Sequence, residues 1–299
     1  MATISTRLDS SSTAPKSSEQ QQGHFTNQKP IQHGGFGKTL GIMWKMLFQK
    51  PRSTRPVGEI PVQPPPDVSL PEFQAAAQMR QEGKLAEARA ALSTFIQKYP
   101  TGLHSDEAKD LLGEVNVQIL LSNYPSPDKQ EYIVKKGDVL ATIARKMKST
   151  PELIMRTNGL DSTMLHIGER LYISHPEFAM FIQRKPKVVT LANHGAFFKR
   201  YHILEYKMPA RQAGKVNTRI AEILAWRGGK RVGFGSKEYA GSTRWVRLSA
   251  PGYLIYSVPD SMHPASDALP PPEGLGLPAA DVEELSGLVN SRTTVTITD

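Results

Sequence analysis

Two glycine turns, at Lys136-Gly137-Asp138 and at His166-Ile167-Gly168-Glu169, bracket two short helical patterns, and this arrangement constrains the fold more than any other stretch. Before the first turn, Tyr132-Ile133-Val134 is a β-branched and aromatic run suited to a strand; after the second, Arg170-Leu171-Tyr172-Ile173 has the same character. Glycine supplies the backbone freedom that each reversal needs. Leu140, Ile143, Ala144 and Met147 fall at i, i+3, i+4 and i+7, one apolar stripe that leaves Arg145, Lys146 and Lys148 to solvent. A second helix is announced by Thr150 as N-cap, Pro151 at the first helical position and Glu152 at the positive end of the dipole. Asn158-Gly159, a pair that tolerates left-handed backbone, ends it. Residues 131–173 therefore read as strand, helix, helix, strand.

This segment resembles a lysin motif (LysM) domain, through Tyr132 to Leu140, Ile143-Ala144, Asn158-Gly159-Leu160, Ile167-Gly168 and Leu171-Tyr172-Ile173. The resemblance implies binding of N-acetylglucosamine-containing glycans, peptidoglycan or chitin, in a shallow groove between the loop after the first strand and the loop before the last. By position that groove would use Gly137, Asp138, Val139, Leu140, Asn158, Gly159, Leu160, Leu165 and Ile167. Glycines at turns and leucines beside them are also what any βααβ unit needs, so a purely structural role for part of this set stays open.

The chain has 299 residues, 39% of them hydrophobic, which is enough to bury a core, and its 23 prolines and 23 glycines suggest several small units joined by linkers. It has no cysteine, which excludes disulfides, thiolate metal sites and cysteine nucleophiles. A formal charge of +9 favours anionic partners such as cell-wall polymers, membrane surfaces or nucleic acid without choosing among them.

Residues 1–35, rich in Ser, Thr and Gln, are expected to be disordered. In 36–50, Phe36, Leu40, Met43, Trp44 and Leu47 share a helical face, an amphipathic signal for contact with a membrane surface or for docking on protein. This run is too short to span a bilayer, and its place in the chain is wrong for a standard signal peptide. Residues 51–71 read as a proline-rich spacer. Residues 72–124 are helical and resemble a tetratricopeptide-type hairpin, with Gly83, Ala88 and Tyr99-Pro100 at familiar places and a third helix from near Ser105. One repeat cannot build a solenoid, so a brace or a docking unit for a protein partner fits this region better than a peptide groove.

Residues 178–299 read as mostly strand with one late helix, from Asp281 to Val289. Asn193-His194-Gly195 has hairpin-turn chemistry. This part resembles an L,D-transpeptidase catalytic domain through Val188-Val189-Thr190-Leu191, Gly241-Ser242-Thr243-Arg244-Trp245, Gly252-Tyr253-Leu254-Ile255 and Ala279 to Leu285. It departs from that family where chemistry is needed: Tyr256 stands at the position of the catalytic histidine and Gly274 at that of the catalytic cysteine. Acyl transfer there needs a thiolate activated by a histidine. Ser257 or Ser261 with His263 would be a poor replacement, because a serine hydroxyl is far harder to ionise. The eight histidines show no metal-ligand spacing, nothing implies a cofactor, and nucleic acid binding has only Phe197-Phe198-Lys199-Arg200 to support it.

The expectation is an α+β, multidomain chain: helical hairpin, βααβ LysM domain, then a mostly-β transpeptidase-like domain without catalytic residues. Its function would be non-catalytic peptidoglycan binding in the bacterial cell envelope. An active cell-wall enzyme with an unrecognised nucleophile, and a scaffold recruiting protein through its helices, remain as alternatives.

Overall fold

The computed structural model describes residues 67–122, 129–207, 214–259 and 273–299. The expected disorder of 1–35, the amphipathic segment 36–50, most of the proline-rich spacer, Ser261 and His263 lie outside the described residues. The fold is mixed α+β, and the described residues belong to one compact unit by their contacts.

Three helices lead, α1 (Leu70–Gln81), α2 (Leu85–Lys98) and α3 (Ser105–Leu121). The first begins inside the expected spacer, because Pro71 in its opening turn lacks only an N–H that would have no intrahelical partner there. Phe73, Ala76, Ala88, Leu92, Phe95, Ala108 and Leu112 close a small core among the three. The second face of α3 is also buried: Val117 and Leu120 join the main core, and Asn116 Nδ2 donates to the Phe198 carbonyl at 2.8 Å.

The ribbon β1 (Lys129–Ile133) and β2 (Arg170–Ser174) is antiparallel and encloses α4 (Leu140–Lys146) and α5 (Pro151–Asn158), the expected βααβ order. Leu140, Ile143, Ala144, Ile154, Leu171 and Ile173 make its core. Thr150 caps α5 as read from the sequence, its Oγ1 accepting from the Leu153 N–H at 3.0 Å, and Gly159 ends the helix at φ 63°.

The rest is one large sheet: β3 (Phe178–Gln183), β4 (Val188–Asn193), β5 (Ala196–His202), β6 (Glu205–Lys207), β7 (Val216–Arg227), β8 (Lys230–Arg231), β9 (Thr243–Leu248), β10 (Leu254–Val258), β11 (Gly274–Pro278) and β12 (Thr294–Thr298), with α6 (Ala279–Leu288) packed on β9 and β10. The strand order is β5-β4-β3-β12-β7-β9-β10-β11-β6, with β8 beside β7. β5 and β6 stand at opposite ends of that order, yet only Ile203 and Leu204 separate them, and the Leu204 N–H donates to the Gly276 carbonyl at 2.8 Å. The sheet must therefore curl until its edges meet, which shelters both edges from pairing with other chains. Its inner face carries Met180, Ile182, Val189, Leu191, Val246, Ile255, Val295 and Ile297. Among the described residues no helix is long and apolar enough to cross a membrane.

Candidate glycan-binding site

Ile133 pairs with Arg170, so the loop that leaves β1 and the loop that enters β2 emerge at the same end of the ribbon. Two backbone bonds tie them: the Val134 N–H donates to the Glu169 carbonyl at 2.9 Å, and the Gly168 N–H to the Val134 carbonyl at 2.8 Å. The structure thus places the loop after β1 and the loop before β2, between which the groove was expected, at one end of the ribbon.

The first loop is held by Asp138. One carboxylate oxygen accepts from the Lys135 N–H and from the Tyr132 hydroxyl, both at 2.8 Å. These bonds, the Lys135 N–H first, hold the Asp138 carboxyl below its ordinary value. Gly137 sits at φ 84°, a left-handed conformation that a side chain would strain. The second loop is fastened by the His166 N–H donating to Glu169 Oε2 at 2.9 Å and by Gly168 at φ 85°.

The expected residues divide into two groups. The Leu140 side chain is 1% exposed and fills the module core, so it can meet a ligand only through its backbone. The Asn158 carboxamide donates to the Ile154 and Tyr172 carbonyls and accepts from the Tyr172 N–H at 2.7 Å, fastening α5 to β2. Leu160 and Leu165 are half-buried against the core, while Gly137 and Gly159 shape the backbone. Asp138 is committed to its loop. Val139 and Ile167 are different, being 58% and 71% exposed.

Met164, 72% exposed on the second loop, joins them, and the sequence reading missed it. Its signal was an apolar residue among Asp161, Ser162 and Thr163, where a turn has no packing reason for one. The two loops thus carry exposed apolar side chains, the β-branched and stiff Val139 and Ile167 and the more flexible Met164.

Tyr256 and Gly274, expected from the sequence to stand where a catalytic histidine and cysteine would, lie on adjacent strands. Tyr256 on β10 donates its hydroxyl to Glu205 Oε2 at 2.8 Å; burial first, then the Glu205 carboxylate, pushes it up to about 12. Gly274 opens β11 at φ 144°, and a Cβ there would stand 2.3 Å from the Leu254 carbonyl oxygen. Gly276 is as tightly enclosed, an added Cβ falling 2.5 Å from Val258 and 2.9 Å from Glu205. Ser257 is half-buried and donates to the Arg244 carbonyl at 3.0 Å.

The family model described as the LysM domain matches residues 132–174. Among solved structures the chain is similar to an L,D-transpeptidase from Mycobacterium smegmatis, at 10% identity and TM-score 0.29 over 45% of this chain and 65% of that one. It is similar to an L,D-transpeptidase from Mycobacterium tuberculosis H37Rv at 13% identity and TM-score 0.28, over 44% and 63%. A third, the L,D-transpeptidase Yku from Stackebrandtia nassauensis, gives 12% identity and TM-score 0.28 over 41% and 56%. This chain thus spans less than two thirds of the length of each of these three. No curated protein matches it in sequence.

Proposed function

We propose that this protein binds N-acetylglucosamine-containing glycan of the bacterial cell wall, peptidoglycan in particular, without turning it over. The observation that carries the reading is the LysM match at 132–174 together with the exposed Val139, Met164 and Ile167 on its two loops. A shallow groove of this kind buries little area, so affinity for one glycan is expected to be roughly micromolar to millimolar. The same reading puts the protein in the cell envelope.

Support for the absence of turnover comes from the chain's lack of any cysteine and from the crowding at Gly274. The Tyr256 hydroxyl, held protonated at neutral pH, is a poor base beside a carboxylate it already serves as donor. In this reading the curled sheet and α1 to α3 carry the glycan module, and the exposed cations add contact with anionic wall polymers. The test is incubation of the intact protein with tetrapeptide muropeptides. The expected result is no cross-linked dimer and no trimming to tripeptide; product that disappears in Ser257→Ala would overturn it.

A further inference from the structure

A cavity of about 690 Å³ lies where the start of α5 meets β7, the 231–239 arm and the turn between α6 and β12. We infer that it is a second saccharide site, which receives an uncharged N-acetylated sugar from the same strand that occupies the LysM groove. The inference rests on the glycan-binding reading above and extends it to a place outside the lysin motif.

Size is the first argument, since sites for small organic ligands commonly enclose 300–1,000 Å³. Charge is the second. The charged residues in its lining are Glu152, Glu222 and Arg231, and each is already paired. Glu152 receives Arg244 at 3.2 Å and the Tyr239 hydroxyl at 2.8 Å, while Glu222 takes Arg231 and Arg247. A charged ligand would have to break these pairs, whereas hydroxyl and acetamido groups would not. Third, the Phe234 ring in the wall is 40% exposed and stands edge-on to Tyr239, with centroids 5.1 Å apart at 82°, offering a face to a sugar ring. Fourth, Ser149 in the lining is 6% exposed, and its hydroxyl has no hydrogen-bond partner among the described residues. A buried hydroxyl is usually satisfied, and this one is left as an unused donor beside the cavity.

Continuity with the lysin motif is the fifth argument. The 233–239 loop touches the module twice: Tyr239 bonds Glu152 in the first turn of α5, and a Cβ on Gly235 would lie 3.3 Å from Thr163, next to Met164 in the second groove loop. The arm that carries Phe234 in the cavity wall thus also reaches the second groove loop. A strand held in the groove would meet the cavity at high effective concentration, so affinity should climb with oligomer length.

Calorimetric titration of the intact protein with N-acetylglucosamine oligomers of two to six units tests this. The wild type should bind the hexamer more tightly than the dimer. Phe234→Ser and Ser149→Val should each weaken the hexamer three- to tenfold while leaving the dimer unchanged, and Phe234→Leu, which keeps apolar bulk without the ring face, should behave like Phe234→Ser. Ile167→Glu should weaken every length. Wild-type hexamer affinity in both Phe234 variants, with Ile167→Glu impaired, would remove the second site and leave the LysM reading standing. Binding untouched by Ile167→Glu but lost in Phe234→Ser would keep the cavity and sink the groove. A folded protein that binds none of the oligomers, or binds only muropeptides through their peptide, would overturn the saccharide site.

Discussion

The Asn158 carboxamide makes three hydrogen bonds, two of them to the backbone of Tyr172, so its side chain stitches helix to strand inside the lysin motif. Asn158→Ala would strand the Tyr172 N–H and carbonyl, and should destabilise the protein by about 2 kcal/mol. Chemical denaturation measures this, and the groove variant Ile167→Glu serves as a control that should unfold like the wild type. At Gly274 the limit is space. Gly274→Cys would push a Cβ against the Leu254 carbonyl in a backbone region that suits glycine alone, costing about 3 kcal/mol. The variant should melt earlier and still fail to process muropeptides. Some residues announced their roles: Thr150, Pro151 and Gly159 act as their types require at helix ends, because caps are local chemistry. Asn158 and Leu140 did not, since residue type at a turn does not say whether the side chain faces ligand or core.

Among the elements, α5 belongs to two cores at once. Ile154 fills the lysin motif, whereas Leu153 enters the main core and Thr150 Oγ1 donates to the Gly287 carbonyl of α6 at 2.8 Å. Glu152 meets Arg244, an inward-facing arginine of β9 that is 2% exposed and lies 3.5 Å over the Tyr239 ring. Glu152→Ala leaves that guanidinium without its carboxylate and should cost about 3 kcal/mol, much of which Glu152→Ala combined with Arg244→Met should recover. A double-variant loss equal to the sum of the two single-variant losses, in a denaturant titration, would mean the pair is not coupled. α3 is held to β5 by charge. Arg200 donates to Asp110 at 2.5 Å and to Asp106 at 2.8 Å. Lys109 and then Arg200 hold Asp106 below its ordinary 3.8; for Asp110 burial pushes the other way, and Arg200 outweighs it. Lowered carboxyl values stabilise fully above the unfolded value and lose that contribution as pH falls through the folded ones, so the α3 contact should weaken below about pH 4. Hydrogen exchange along α3 should rise there, and Arg200→Met should show less of that rise. Strand β11 shows where sequence reading stops: Gly274-Leu275-Gly276-Leu277-Pro278 has turn composition, yet β10 and β6 press so closely on it that only glycine fits. The short β6 and β8 escaped notice for a related reason, since few residues leave no periodicity to read.

At the scale of the molecule, the lysin motif is built into the fold of residues 67–299. Its helix α5 shares the main core, its loop touches the 233–239 arm, and the loops at one end of its ribbon carry the exposed Val139, Met164 and Ile167. That placement gives rigidity, which lowers the ordering cost of binding a weak ligand. The expected βααβ module and mostly-strand region could be read along the chain, because alternation and capping are local. Their union could not, since it depends on Arg244, Glu152 and Leu153 meeting across long sequence distances. The most direct measurement is co-sedimentation of the intact protein with insoluble peptidoglycan, wild type beside Ile167→Glu. The wild type should be retained saturably, the variant should stay in the supernatant at the same folded stability, and the muropeptide profile of the wall should not change. A folded wild type left in the supernatant, or an Ile167→Glu variant retained equally well, would contradict the account.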